Sequence, residues 1–352
     1  MLRTKIFEKK EPYFVADIGA NHDGDINRAF MLIELVKESG AHAAKFQNFV
    51  ANKIVSRKGF DNMGAQLSHQ KNWKKSVYET YEDAALKPDW PYLLKEKCNE
   101  VGIEYFTSAY DFESVDLVDP LVSVYKIGSG DITWIDMLEY IARKHKPILL
   151  ATGASTISDV ERAMNTLGKF TSDVVLMQCN TNYTGSSENF KYINLNVLNT
   201  YKHLFPKAVL GLSDHTPGHT TVLGALSLGA SVFEKHFTDD NNRDGPDHKF
   251  AMNPGTWRAM VEASRELLEA MGDGEKKIEA NEEKTSLVQR RALRMNKDLS
   301  VGTIISEVDI YPLRPYDPSG LHPHEKHLIL GKKLARSITA DSLITLSDIS
   351  ND

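Results

Sequence analysis

AVLGLSDHTPGHTTVLGALSLGASVFEKH, residues 208–236, is the stretch whose pattern predicts the fold. Two short apolar runs at residues 208–212 and 231–236 flank a segment with a helical pattern, which is typical of a strand–helix–strand unit in a parallel sheet. The same alternation recurs through most of the chain and predicts eight strands, at residues 13–18, 42–47, 103–107, 123–127, 147–151, 173–178, 208–212 and 231–236. Eight such strands close into a (β/α)8 TIM barrel, so the sequence predicts an α/β fold.

A different pattern follows the barrel and predicts a second domain. A chain of 352 residues is long enough for one large and one small folded unit. We place the barrel at residues 1–271, a charged linker (GDGEKKIEANEEK) at 272–284 and the second domain at 285–352. Within that domain SVGTIISEVDI (300–310) and TADSLITLSDI (339–349) share an apolar-apolar-x-x-x-Asp-Ile skeleton, which predicts a small, pseudo-symmetric, mostly β module.

A long connection follows the second predicted strand. Residues 48–88 show no clear helical pattern before a helix that begins near Asp89, and connections of this length are uncommon. The segment follows the C-terminal end of a strand, where barrel active sites lie, and it contains Trp73, Tyr78 and Tyr81. We interpret it as a lid over the site; the alternative is a structural excursion with no role in function.

Composition excludes several classes of protein. The net charge of −6 and the absence of a Lys/Arg run argue against a nucleic-acid surface. No apolar run is long enough for a membrane span, and residues 1–14 have no apolar core of a signal peptide, so we expect a cytoplasmic protein. The two cysteines, Cys98 and Cys179, provide neither a disulfide framework nor a thiolate metal set.

Charged residues at the ends of several predicted strands are candidates for chemistry. Lys45, Lys126, Glu234 and His236 interrupt runs that are otherwise apolar, and buried charges need a partner or a ligand. The two lysines lie at the predicted barrel mouth, near the glycines and serine of GSG at 128–130 and near Gly153. Cations, hydroxyls and exposed backbone amides suit a bound phosphate, although tight turns explain the glycines of this motif equally well.

His215 and His236 follow the seventh and eighth strands, so one strand–helix–strand unit places two imidazoles side by side at the mouth. Two histidines completed by substrate or water oxygens suit Mn²⁺, Zn²⁺ or a similar divalent ion. The pair is weak evidence without the surrounding motifs.

Seven motifs together resemble the sialic acid synthase family: ADIGANHDG (16–24), KFQ (45–47), YKIGSGD (125–131), TGAS (152–155), LSDHT (212–216), EKHFT (234–238) and GPDHKF (245–250). The tail resembles the antifreeze-like (SAF) domain of that family, in VGTIISEVDI (301–310) and in LRP (313–315). The resemblance implies a catalytic barrel, an antifreeze-like module and a domain-swapped homodimer in which each module caps the partner's barrel.

The resemblance also assigns the chemistry, which is condensation of phosphoenolpyruvate with an N-acyl amino sugar such as N-acetylmannosamine. The ligands of the metal, most often Mn²⁺, would be His215 and His236, and the ion would polarise the sugar aldehyde. The positions that grip phosphoenolpyruvate would be Lys45, Lys126, Ser129, Ser155 and Ser213. Those around the sugar would be Gln47, Asp131, Asn182, Tyr183 and Asp247, with Arg314 reaching across the dimer toward the N-acyl group. Asp17 would orient the attacking water or the new hydroxyl.

The chain departs from the family pattern at three places. Asp17 and Asp131 stand where Glu is usual, and residues 180–184 (NTNYT) lack the proline that commonly follows the tyrosine. These departures leave the identity of the sugar open between N-acetylmannosamine, its phosphate and a diacetamido-trideoxyhexose. Two alternative functions also stay open: another metal-dependent keto-deoxy sugar acid synthase or aldolase, including one that forms a Schiff base on Lys126, and a non-catalytic sugar-binding component of coat assembly.

Overall fold

The structure is a computed structural model, and it describes residues 4–8, 11–66, 70–71 and 73–350. The chain divides into two compact units, Met1–Gly272 and Asp273–Asp352. The linker expected at residues 272–284 stays a prediction, and each unit is described by itself below. Among the described residues no helix is both long and apolar enough to cross a membrane.

The first unit is a closed parallel barrel, which confirms the predicted fold. Within the described residues its strands are hydrogen-bonded in chain order, and the eighth pairs with the first. Their bounds are β1 Tyr13–Asp17, β2 Ala43–Asn48, β3 Glu104–Ala109, β4 Tyr125–Ile127, β5 Ile148–Ala151, β6 Val174–Cys179, β7 Val209–Asp214 and β8 Val232–His236. Each strand end lies within two residues of its predicted position, because a run of apolar residues marks a strand that is buried on both faces.

Helices connect the strands, and most of them cover the outside of the barrel. Their bounds are α1 Ile26–Glu38, α2 Ala51–Ile54, α3 Arg57–Asn62, α4 Val77–Ala84, α5 Trp90–Val101, α6 Phe112–Val118, α7 Ile135–Ala142, α8 Ile157–Leu167, α9 Val197–Leu204, α10 Thr220–Ser227 and α11 Pro254–Met271. The main apolar core lies between these helices and the outward-facing strand residues, as for Phe14 on β1 and Leu32 on α1.

The barrel interior changes character along its length. The part of the interior farther from the C-terminal ends of the strands holds a separate apolar cluster that includes Val15, Phe106 and Val232. Because side chains alternate along a strand, the next inward positions are Asp17, Ser108 and Glu234. The interior is therefore apolar at one end and polar at the C-terminal mouth.

The connection after β2 is more ordered than its sequence pattern suggested. It contains the short helices α2, α3 and α4, so the expectation that residues 48–88 hold no clear helix is wrong. The sequence signal for α4 is the capping box in which the Ser76 hydroxyl accepts from the Glu79 amide and the Glu79 carboxylate accepts from the Ser76 amide. Val77, Trp73 and Tyr81 belong to a small apolar cluster of this segment.

The second unit contains the short helix α12 (Glu283–Gln289) and an antiparallel pair of strands, β9 (Ala292–Met295) and β10 (Ile310–Leu313). The two predicted repeats adopt the same local structure. In one, Asp309 accepts from the amide of Ser306 at 2.8 Å; in the other, Asp348 accepts from the amide of Thr345 at 2.9 Å. The small, mostly β module predicted from the repeat is thus confirmed.

Candidate active site

A cavity of about 900 Å³ opens at the C-terminal mouth of the barrel. Its walls come from the barrel strands, from the loops that follow them and from the connection after β2. The predicted site residues that line it are Asp17, Lys45, Gln47, Lys126, Ser129, Tyr183, Ser213, His215, His236 and Asp247. The fold thus brings together residues that are spread over about 230 positions of the sequence.

Two buried ion pairs form the floor of the cavity. The Lys45 ammonium lies 2.5 Å from Asp17 Oδ2, and Lys126 Nζ lies 3.0 Å from Glu234 Oε1. The two lysines are only 2% and 4% exposed, so both depend on these carboxylates for charge compensation. The amide of Gln47 also donates to Asp17 Oδ2 at 3.1 Å, and the Ser213 hydroxyl donates to Glu234 Oε1 at 3.2 Å.

The lysines keep both carboxylates ionised. Burial by itself raises the pKa of Asp17, but the Lys45 ammonium and the neighbouring His236 ring lower that pKa to about 2. Burial likewise works against ionisation of Glu234, while Lys126 and Lys45 lower its pKa below the ordinary value. At neutral pH the floor therefore holds two cations and two anions, so its charges balance. A charged ligand can bind there by forming new ion pairs with the lysines or with the carboxylates.

The two histidines face each other across the mouth. Their ring centroids are 5.5 Å apart, and Nδ1 of His215 lies 2.9 Å from the carbonyl oxygen of Asn180. When that nitrogen donates to the carbonyl, Nε2 of His215 is left with its lone pair. Burial and the neighbouring His236 lower the pKa of His215 to about 3, so its ring is neutral at physiological pH, the form that binds metal ions.

His236 lies between two carboxylates. Its Nε2 is 3.5 Å from Asp17 Oδ2, and its Nδ1 is 3.6 Å from Asp247 Oδ2. Asp247 is held in place by the amide of Ala20, which donates to Oδ2 at 3.2 Å. In the described part of the chain Nδ1 of His236 is buried and has no hydrogen-bond partner.

These residues fit a divalent cation. The unsatisfied nitrogen of His236 and the neutral ring of His215 are suitable donors, and Asp17 and Asp247 make the surroundings acidic. Within the described ranges no group of three or more His, Cys, Asp or Glu side chains converges as a complete ligand set. An ion held by the two histidines would therefore keep positions for substrate or water oxygens.

Ser129 lines the cavity, and the backbone of Gly153 packs directly against its hydroxyl. The Gly153 amide donates to Ser129 Oγ at 2.9 Å. A Cβ at position 153 would lie 2.5 Å from a methyl carbon of Thr181 and 2.9 Å from Ser129 Oγ, so only glycine fits without displacing them. This close approach explains Gly153 by its packing against Thr181 and Ser129, and a role for Gly153 in binding phosphate stays a prediction.

Four predicted site residues do not line the cavity. Ser155 is half-buried and its hydroxyl donates to Thr152 O at 2.6 Å, whereas Asn182 accepts from the amide and hydroxyl of Thr184 within its own loop. Asp131 is half-buried, and burial raises its pKa to about 6. Arg314 belongs to the second unit, where it is exposed and its Nε donates to the carbonyl of Gln289 at 2.6 Å.

Sequence reasoning left several cavity residues unassigned. Ser108 lines the cavity and pairs in register with Lys126, a position that the alternation along β3 could have identified. Tyr110 and Phe49 have no comparable sequence signal because they lie in loops just beyond strand ends. With Trp73 and Tyr81 from the connection after β2 they form an aromatic wall, which supports the lid interpretation while closure itself stays a prediction.

Comparison with known proteins identifies relatives over nearly the whole chain. The sequence model of the NeuB family matches residues 32–276, and that of the SAF domain matches residues 290–350. The chain is 35% identical to an N,N'-diacetyllegionaminic acid synthase of Campylobacter jejuni, over 95% of this chain and 99% of the relative. It is 34% identical to the Legionella pneumophila enzyme of the same name, over 94% and 93%.

Solved structures are similar as well. The crystal structure of the spore coat polysaccharide biosynthesis protein SpsE from Bacillus subtilis is 30% identical and matches with a TM-score of 0.62, covering 97% of this chain and 96% of that one.

Proposed function

Because this chain belongs to the NeuB family, we propose that it condenses phosphoenolpyruvate with an N-acyl amino sugar to give a nonulosonic acid and phosphate. The family named from the sequence motifs is thus confirmed, and the Campylobacter jejuni and Legionella pneumophila relatives are named as N,N'-diacetyllegionaminic acid synthases. The observation that carries the proposal is that two buried lysines and the histidine pair line one cavity.

Phosphoenolpyruvate is an anion with a phosphate and a carboxylate, and the lysine side of the cavity suits both groups. Lys45 and Lys126 supply cations, and the hydroxyls of Ser129 and Ser213 can donate to anionic oxygens. Both lysines already form ion pairs, with Asp17 and with Glu234. Bound phosphoenolpyruvate must therefore share the two ammonium groups with these carboxylates. Ser155 is assigned to the same ligand by resemblance and lies just outside the cavity lining.

His215 and His236 would hold the divalent ion, with Mn²⁺ as our proposed metal. Such an ion acts as a Lewis acid toward a carbonyl oxygen when it is bound. Nδ1 of His215 bonds to the carbonyl of Asn180, which fixes the orientation of the ring and leaves Nε2 as the nitrogen that would hold the ion.

In the proposed reaction the methylene carbon of phosphoenolpyruvate attacks the aldehyde carbon of the open-chain sugar, and the aldehyde oxygen takes a proton to become a hydroxyl. Water then adds at C2, and cleavage of the C2–O bond releases phosphate and leaves a ketone. The low pKa of Asp17 keeps it a carboxylate, so it can accept a hydrogen bond from the water or from the new hydroxyl but has no proton to donate.

The sugar would bind in the same cavity. Gln47, Tyr183 and Asp247 line it and provide donors and acceptors for hydroxyl and N-acyl groups. Asp131 and Asn182 are assigned to the sugar by resemblance. We propose that Arg314 completes the sugar site from the partner subunit of a homodimer, which its exposure in the second unit permits.

Phosphate release tests the proposal. Purified protein, stripped of metal and resupplied with Mn²⁺, should release phosphate only when phosphoenolpyruvate and an amino sugar are both present. A panel of N-acetylmannosamine, its 6-phosphate and a 2,4-diacetamido-2,4,6-trideoxyhexose would identify the acceptor. Binding of a sugar without phosphate release from any member of the panel would favour a sugar-binding protein. Trapping of a covalent pyruvate adduct by borohydride would instead favour a Schiff-base aldolase.

A further inference from the structure

A third buried ion pair lies just outside the cavity, between residues that the proposed reaction does not use. Asp214 and Lys235 are each 2% exposed, and they lie opposite each other in the register of β7 and β8. Their neighbours Ser213 and Glu234 line the cavity, so by alternation these two side chains point away from it. Each is adjacent in sequence to one of the two histidines at the mouth.

The pair holds the turn around His215 from both sides. Lys235 Nζ forms an ion pair with Asp214 Oδ2 and also donates to the carbonyl oxygen of Thr216 at 2.6 Å. Asp214 in turn accepts from the Thr216 amide at 3.2 Å. The residues before and after His215 are therefore both bound to the side chain that immediately precedes His236.

Two hydroxyls complete this network. Asp214 Oδ2 accepts from Thr216 Oγ1 at 2.8 Å and from Thr221 Oγ1, in the first turn of α10, at 2.7 Å. Both threonines are buried. The carboxylate thus binds an ammonium, an amide and two hydroxyls, which leaves it little freedom to move.

We infer that Asp214 and Lys235 are positioning residues that fix the separation and orientation of His215 and His236 for a divalent ion. The inference rests on the proposed function, since it concerns the metal that function requires. A metal site needs both donor nitrogens within about 2.0–2.2 Å of one point. A turn that moves by a fraction of an ångström would lose this geometry, and outer contacts of this kind orient the ligands of metal sites.

A structural role alone explains the pair poorly. Removing two charges from water costs about as much free energy as their mutual attraction returns. Apolar side chains of similar size therefore stabilise a core about as well as a buried ion pair does. The placement of this pair, with one member beside each histidine, is what a positioning role requires.

The test is Mn²⁺ binding by the double variant Asp214→Asn with Lys235→Met. This change removes both buried charges together, so the barrel should fold with a melting temperature close to that of the wild type. Titration with Mn²⁺ alone, followed by the electron paramagnetic resonance signal of the free ion, should show a Kd about 10- to 100-fold higher than that of the wild type. The control is Asp119→Asn with Lys146→Met, a more exposed ion pair at 2.8 Å near the start of β5, which should leave the Mn²⁺ affinity unchanged.

Wild-type Mn²⁺ affinity in the folded double variant would overturn the inference, as would absence of Mn²⁺ binding by the wild type. Should the double variant not fold, Thr216→Val removes one hydroxyl from the same network at nearly constant volume and should still raise the Kd for Mn²⁺. Unchanged affinity in that variant would also count against the positioning role. Failure of the proposed reaction has a different signature: Mn²⁺ binding would depend on the pair, yet no sugar would support phosphate release.

Discussion

Replacement of Lys126 by methionine is the sharpest test of the charge arrangement in the cavity floor. Methionine has nearly the length of lysine but no charge, so the change isolates the ammonium that lies 3.0 Å from Glu234 Oε1. In the variant Glu234 would keep the Ser213 hydroxyl at 3.2 Å and the Lys45 ammonium at 4.0 Å. Its charge would be only partly compensated.

Removal of one partner from a buried ion pair typically lowers the free energy of unfolding by about 3–5 kcal/mol. We expect about 3 kcal/mol here, the lower end of that range, because Lys45 still faces the carboxylate. Lys126 lowers the pKa of Glu234, and a depressed carboxylate pKa contributes stability that is present at neutral pH and lost as the pH falls through it. The difference between wild type and variant should therefore shrink on acidification.

Urea unfolding followed by tryptophan fluorescence measures this effect in the barrel, because Trp73, Trp90, Trp134 and Trp257 all lie in the first unit. Adding Glu234→Gln should restore most of the lost stability, since no unpaired charge then stays buried. The double variant should nevertheless bind phosphoenolpyruvate poorly, with a raised KM for that substrate. Wild-type stability of the single variant would refute the electrostatic argument, and a wild-type KM in the double variant would refute the phosphate assignment.

Three further predictions concern other parts of the site. His236→Ala should abolish Mn²⁺-dependent phosphate release while circular dichroism stays that of the wild type, because a ligand is lost rather than a core contact; unchanged turnover would contradict the metal assignment. The raised pKa of Asp131, about 6, means that the metal-free protein loses stability as the pH rises from about 4 to about 6, by about 3 kcal/mol at most. Asp131→Asn should flatten that dependence, and a profile identical to the wild type would show that the carboxyl is not held in a neutral form. Arg314→Ala should raise the KM for the sugar, and mixing it with His236→Ala should recover activity if the arginine acts across a dimer; no recovery would indicate action within one chain.

The amino-acid sequence by itself determined the barrel, the second module and ten of the residues that line the cavity. Apolar runs mark strands that are buried on both faces, and the end of each run marks the mouth where polar side chains collect. His215, His236, Lys45 and Lys126 could be placed at one face by this rule alone. The helix α4 was missed because its short apolar pattern is weak, although its capping box can be read from Ser76 and Glu79.

Only the tertiary structure decided how the charges are paired. Lys126 and Glu234 are 108 residues apart, and Lys45 and Asp17 are 28 residues apart. Which lysine meets which carboxylate depends on strand register and on the direction of each side chain, and neither is encoded in local periodicity. The same holds for Asp214 and Lys235, which lie in the motifs LSDHT and EKHFT but whose pairing follows only from the register of β7 and β8. The local sequence pattern predicts which strand ends carry polar side chains. The pairing of these side chains, on which the proposed chemistry depends, arises from contacts between strands that are distant in the chain.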